Sequence, residues 1–441
     1  MKPALGPPEE GEVSGLNQEG AGVLRDGKTV FVPGALPGER VRYQRRARHR
    51  QHDEGELLEL LRSAPDRVAP RCPHFGVCGG CALQHLDPSA QLALKQREVA
   101  EALRRIGRCQ PLRWLEPLRG PVWNYRRRAR LGVKYVVKKD RVLVGFRERR
   151  GRYVAELTGC EVLAPPVNRL FAPLAKLIGS LSIRERLPQI EVAIADLTVL
   201  VMRVLAPPSV ADRELLAKFE RDHECRIVLQ SGGLDSVVAL DGSAAPTLRY
   251  PLPEFGLDLE FRATDFIQIN AEVNRLLIGF AIDQLGSLRE ARVLDLFCGL
   301  GNFTLPLATR ATSVTGIDGD AGLVECARRN ARRHGLGNAD FHVADLMDGA
   351  VADASWARGP FTHVLLDPPR AGAREVLPLV AGLAPRRVVY ISCHPGSLAR
   401  DVGLLVHEHG MRLLAAGVVD MFPQTTHIES VAILEPGGRS R

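Results

Sequence analysis

Three rhythms of apolar and polar positions succeed one another along the chain. Over the first 65 residues the apolar positions come in short runs at 12–13, 20–24, 28–32, 40–44 and 56–61, punctuated by Gly and Pro. Runs of that length and spacing predict a small five-strand barrel. From 88 to about 106, Leu92, Val99, Leu103 and Ile106 fall at helical spacing and predict a helix. Over 126–137 and 141–146 basic and apolar residues alternate, which predicts two strands turning at Lys138-Lys139-Asp140. Residues 164–262 read as further mixed α/β structure with no visible chemistry.

From about 263 the rhythm becomes strand, turn, helix, repeated. Residues 293–297, 313–317, 341–344, 362–366 and 387–392 are buried-type strands, and helical stretches such as 321–334 and 374–383 alternate with them. This is the pattern of a doubly wound α/β domain, whose ligands bind at the carboxyl ends of the strands. The expected architecture is multidomain α/β. A β-barrel over 1–65 precedes a central mixed α/β domain over 66–262 and a Rossmann-like catalytic domain over 263–441.

Charge sharpens this division. Residues 1–160 hold 31 Lys and Arg against 18 Asp and Glu, a net +13, whereas 161–441 hold 28 against 33, a net −5. A basic first third points to a polyanion, and nucleic acid is the expected partner. Arg45, Arg46, Arg48, His49 and Arg50 read as a basic loop beside the barrel: an RNA-facing rim, or a merely solvated loop. Trp123, Tyr125, Tyr135, Phe146 and Tyr153 are interleaved with Arg126, Arg127, Arg128, Arg130 and Arg147. Such a sheet face could hold phosphates and stack bases. Equally, the aromatics could be core and the arginines the wet face. No apolar run is long enough for a membrane span and the start lacks an apolar signal region. The nine cysteines therefore suggest metal or catalytic use in a monomeric, cytoplasmic protein.

The first strand of the catalytic domain runs into Cys298-Gly299-Leu300-Gly301-Asn302-Phe303-Thr304. Its glycines let the backbone turn tightly and approach a ligand. Thr304 stands where a dinucleotide site would place a third glycine. The next strands end at Asp318, placed to hold a ribose diol, and at Asp345, which could meet an adenine edge. With Asp295, these acids form the pattern of an S-adenosylmethionine pocket. A nicotinamide or nucleotide-phosphate site is the alternative, although no Gly-Lys-Ser/Thr supports it.

Asp367-Pro368-Pro369-Arg370 follows the fourth strand, a turn able to present a carboxylate and a carbonyl to a flat base. Cys393 follows the fifth, where a helix N-terminus would favour its thiolate. Methylating C5 of a pyrimidine needs such a nucleophile, because C5 attacks only after a thiolate has added to C6. It also needs a base for the C5 proton. Glu429, in His427-Ile428-Glu429, is the candidate base; the alternative is a surface acid.

The ordered set Phe266 to Asn270, Asp295 to Phe303, Asp367 to Arg370, Ser392 to Pro395 and His427 to Glu429 resembles the RNA uracil-C5 methyltransferases. The resemblance spans nearly the whole chain. It implies Cys393 as nucleophile, Glu429 as proton acceptor, and Gln268, Phe297, Asn302, Asp318, Asp345 and Asp367 around S-adenosylmethionine and the substrate base. It further implies a TRAM-like barrel and a [4Fe-4S] cluster on Cys72, Cys78, Cys81 and Cys160. Spacing alone also suits a four-thiolate iron–sulfur centre, with zinc as competitor because His74 and His85 lie close. Cys109, Cys225, Cys298 and Cys326 read as structural.

Within the family, barrel plus cluster cysteines resembles the members that methylate uridine 1939 of 23S ribosomal RNA. That RNA is the expected partner. Enzymes for uridine 747 resemble this set without the barrel, and those for transfer-RNA uridine 54 without either feature. Two other classes fit less well. Radical methylthiotransferases space their cysteines three and two apart and carry the barrel at the other end, and a non-catalytic RNA chaperone would not need an intact nucleophile, base and cofactor loop.

Overall fold

The computed structural model describes residues 6–348, 351 and 354–437. Strands Glu9–Leu16, Ala21–Asp26, Lys28–Pro33, Arg40–Arg48 and Asp53–Arg62 close into a barrel. Their alternation turns Val13, Leu24, Val30, Val32, Val41 and Tyr43 inward. Gly55 is required by this crowding, since a Cβ there would stand 2.8 Å from a Val32 methyl.

The basic loop expected at 45–50 is corrected. The strand continues to Arg48, and pairing across the barrel gives two of the cations carboxylate partners. Arg45 meets Glu9 at 2.8 Å and Asp53 at 2.5 Å, and Arg46 meets Glu56 at 2.5 Å. A guanidinium as buried as that of Arg45 needs such partners to keep its charge. Only Arg48, His49 and Arg50 of the five are left exposed.

A six-stranded central sheet follows, in the spatial order Val237–Ala239, Arg226–Gln230, Thr198–Arg203, Gln189–Ile194, Arg128–Val136, Arg141–Gly145. Helices Phe171–Ser180 and Val210–His223 cover one face through Leu174, Ile178, Leu216 and Phe219. On the other face Ala193, Val199, Val201 and Val228 share a core with Leu248, Leu277 and Val293. Central sheet and catalytic domain are thus packed directly together.

The catalytic sheet has eight strands, ordered Ala339–Val343, Ser313–Asp318, Arg292–Leu296, His363–Leu366, Arg387–Ser392, Glu429–Pro436, Met411–Val419, Arg113–Trp114. The first five are parallel. Their order reverses between Arg292–Leu296 and His363–Leu366, which opens a crevice at the carboxyl edge there. Glu429–Pro436 runs antiparallel to Arg387–Ser392, with Ser392 opposite Ser430. The start of one strand therefore meets the end of the other at the ligand edge.

Helix Pro88–Ala102 and strand Arg113–Trp114 precede the central sheet in the chain but pack with the catalytic one. Leu92, Val99 and Leu103 join the core under Leu294 and Leu366, and Arg113–Trp114 pairs with Ala415 and Ala416. The helix begins at an Asp87 cap with Pro88 in its first turn. It ends in a widened turn over Leu103–Gly107, which leaves Ile106 exposed rather than in the stripe. Gly107 passes so close to helix Pro395–His407 that a Cβ would lie 2.6 Å from the Ala399 carbonyl.

Candidate functional site

The glycine loop leaves its strand through Phe297, whose φ of 65° is the sharp turn that starts it. Asp318, at the end of the neighbouring strand, accepts from Gly299 N at 2.9 Å and Asp320 N at 2.8 Å, which fixes its carboxylate at the sheet edge. A Cβ on Gly299 would meet nothing within 4 Å, so a ligand can approach the backbone there. Asp295 lies wholly inside and accepts from Thr304 at 2.5 Å. Burial pushes its carboxyl up to about 8. Its role is to tie the strand to the helix after the loop, and this accounts for Thr304 in place of a glycine.

Asn302 is held on both sides of its amide. Its Oδ1 accepts from the Tyr250 hydroxyl and from Asn274, each at 2.9 Å, and its Nδ2 donates to Asn274 Oδ1. Tyr250 and Asn274 were not singled out in the sequence, since neither belongs to a motif. Asn274 leaves one readable signal, a polar residue on the buried face of an otherwise apolar helix, Ala271–Leu285. Asp345 is exposed past its strand end and accepts from Met347 N.

The reactive edge lies across the crevice. Gln268 is buried and directs Nε2 at Asp367 Oδ2, 3.4 Å away. Burial raises the carboxyls of both Asp367 and Glu429 above the usual range, and the nearby Asp367 raises Glu429 further. Cys393 is half-buried beside them. Burial first, then Glu429 and Asp367, push its thiol up to about 11. This corrects the expectation of a thiolate favoured by the helix. Cys393 precedes the cap, His394, whose own ring nitrogen already accepts from Ser397 N at 3.1 Å. Desolvation and two acidic neighbours outweigh what remains of the helix field.

The Cys393 thiol therefore keeps its proton near neutral pH. A group whose acidity is weakened must lose its proton before it can attack or accept, so rate should rise with pH through the neutral range. The first-turnover rate of adduct formation is expected to climb about tenfold per pH unit between about pH 6 and 8. Rapid-quench measurement would expose a preformed thiolate as a flat profile.

Cys393, Arg370 and His427 open into a cleft of about 1630 Å³ that also touches Gln18 of the barrel and Gly79 to Ala82. Arg126, Arg130, Lys134, Arg147 and Arg149 line its walls. The interleaved aromatics divide between the two readings. Tyr125 is core, with its hydroxyl on the Pro423 carbonyl, whereas Tyr153 stands exposed in the cleft.

Behind that cleft, Cys72, Cys78, Cys81 and Cys160 line one small cavity with Phe75, Phe146 and Arg126. His74 also borders it, but its Nε2 is engaged by Thr158. His85 is buried against Phe75 and does not line the cavity. The available donors are thus four thiols. Among the described residues, no three of these sulfurs come within 4.8 Å of one another. A tetrahedral zinc would gather them to about 3.8 Å.

A family model described as tRNA (Uracil-5-)-methyltransferase matches residues 254–436. The 23S rRNA (uracil(1939)-C(5))-methyltransferase of Alkalilimnicola ehrlichii is 52% identical over 430 residues, 97% of this chain and 96% of that protein. The chain belongs to the RNA uracil-C5 methyltransferase family. The Methylococcus capsulatus protein of the same description is 47% identical over 98% of both chains. Among solved family structures, a Pyrococcus abyssi tRNA (uracil-54, C5)-methyltransferase in complex with S-adenosyl-L-homocysteine superposes with a TM-score of 0.75 at 25% identity. That match covers 96% of this chain and 99% of the other. Domain content was expected to separate ribosomal-RNA from transfer-RNA members of the family. A whole-chain match to a transfer-RNA enzyme corrects that: the same architecture serves both substrates.

Proposed function

We propose that this chain transfers a methyl group from S-adenosylmethionine to C5 of a uridine in 23S ribosomal RNA, at the position numbered 1939 in its relatives. The observation that carries the chemistry is the meeting of Cys393, Asp367 and Glu429 at the ligand edge of the sheet, beneath a cationic cleft. The ribosomal target is supported by relatives at 47–52% identity across the chain.

Bound S-adenosylmethionine supplies an electrophilic methyl; Asp318, the Gly299 backbone, Phe297, Asn302 and Asp345 would hold it. The target base is flipped out of its stack into the crevice. Asp367 and Gln268 orient the uracil edge there. Cys393 loses its proton to solvent and forms a bond to C6; C5 then takes the methyl as the bond from methyl to the donor's sulfur breaks, its electron pair staying on that sulfur. Glu429 then takes the C5 proton, the sulfur–C6 bond breaks, and its electron pair returns to sulfur. Glu429 must be unprotonated for that step, an ionisation that burial and the neighbouring Asp367 both resist.

Cys72, Cys78, Cys81 and Cys160 would hold a [4Fe-4S] cluster, which is carried by four Cys thiolates. The barrel over 1–65 is read as TRAM-like, gripping RNA beside the central domain over 66–262.

A second reading, transfer-RNA uridine 54, is favoured by the Pyrococcus abyssi match. Purified enzyme, labelled donor and the two transcripts decide between them. Label is expected in a 23S fragment spanning position 1939 and absent from transfer RNA; the reverse result would overturn the ribosomal assignment, and label in neither would overturn the enzyme.

A further inference from the structure

The loop 420–428 carries the cleft residues Phe422, Thr425, Thr426 and His427 and delivers the chain to Glu429. Beyond a few local hydrogen bonds, it is tied to residues more than 290 positions earlier. Lys95, itself buried, donates to Asp420 Oδ1 and to the Phe422 carbonyl, both at 2.9 Å. The Tyr125 hydroxyl donates to the Pro423 carbonyl at 2.8 Å, and Thr426 donates to the Gln18 carbonyl in the barrel at 2.7 Å.

Gln424 is the centre of this arrangement. Its carbonyl accepts from Ala82 N and Leu83 N at 2.9 and 3.0 Å, and these two residues directly follow Cys81. Its backbone N–H donates to Gln91 Oε1, and its side-chain Oε1 accepts from Gln91 Nε2, both at 3.0 Å. Gln91 Nε2 also reaches the Leu83 and Leu86 carbonyls. Gln424 has a φ of 67° and is 1% exposed. That backbone region favours glycine, and a plain connecting loop would carry one. A glutamine here gains from its side chain what it loses in backbone conformation.

We propose that Gln424 and Gln91 are positioning residues: their paired amides lock loop 420–428 to the segment after Cys81 and so set Glu429 for removal of the C5 proton. The proposal rests on the methyl-transfer reading above. It makes the later half of the reaction depend on the lock, while nucleophile and cofactor loop stand on other strands. A misplacement of about 1 Å in a reacting group costs up to about a hundredfold.

The test uses full-length enzyme carrying Gln424→Gly, which suits the backbone and keeps the main-chain bonds, and Gln91→Met as a second variant. Turnover should fall about ten- to a hundredfold. First-turnover methyl transfer should stay near wild type, and a methyl-labelled protein–RNA adduct should accumulate in denaturing gels. Wild-type turnover without adduct in Gln424→Gly, alongside adduct in Glu429→Gln, would overturn the proposal and leave the reaction scheme standing. Methyl transfer falling in step with the folded fraction would overturn it too, as a stability role. Normal turnover by Glu429→Gln would instead locate the failure in the reaction scheme.

Discussion

Cys393→Ala is expected to abolish formation of 5-methyluridine, and Glu429→Gln to leave the enzyme covalently joined to its RNA. The two substitutions stop different bonds. Without the sulfur, C5 never becomes nucleophilic, so the rate should drop by at least about 10⁴-fold and no adduct should form. With Gln at 429, addition and methyl transfer proceed, but the C5 proton has nowhere to go. Turnover should drop about 10²- to 10⁴-fold, the range expected for loss of a general base. The stalled species should survive denaturing electrophoresis and carry label from the methyl donor. RNA bearing 5-fluorouridine should trap the unaltered enzyme in the same way, since fluorine cannot leave as a proton does. Near-normal turnover by Glu429→Gln would assign the proton to another group, with Asp367 the nearest alternative. Residual 5-methyluridine from Cys393→Ala would refute the covalent route.

Both residues were readable because strand ends advertise themselves. Each parallel strand is a short apolar run, and the first polar residues after it must lie at the ligand edge, which isolates Asp318, Asp367 and Cys393. Glu429 was readable only as a carboxylate just before an apolar run, and the resemblance implied the same role. Its strand is antiparallel, so its reactive residue comes before the apolar run, and only the Ser392–Ser430 pairing brings it to Cys393. The thiol's weakened acidity was not readable for the same reason, since it depends first on burial and then on carboxylates 26 and 36 residues away in the chain. Strand Arg113–Trp114 is two residues long and has no periodicity to detect. Nor does any local pattern announce that Gln91 pairs with Gln424. At the barrel rim the basic run was visible, but the acids that pair with Arg45 and Arg46 lie on other strands.

Protein prepared without oxygen is expected to be brown and to contain about four iron and four sulfide per chain. The four thiols line one cavity, and both nearby histidines are otherwise placed. Removing one ligand by Cys81→Ala should release the iron and loosen the segment from Cys72 to Leu83, because a structural metal site contributes folding free energy directly. The damage should be selective. Gly79 to Ala82 and Arg126 line the cationic cleft, and Ala82 and Leu83 hold Gln424, so RNA binding and turnover should fall together. The glycine loop, by contrast, is anchored by Asp318, Tyr250 and Asn274, none of which touches the cysteine cavity. Calorimetric binding of S-adenosylmethionine should therefore survive in the same preparation. Stoichiometric zinc in unaltered protein made with ample iron and no oxygen would show the cluster assignment to be wrong. Donor affinity lost in parallel with iron would show that cluster and cofactor loop form one cooperative unit.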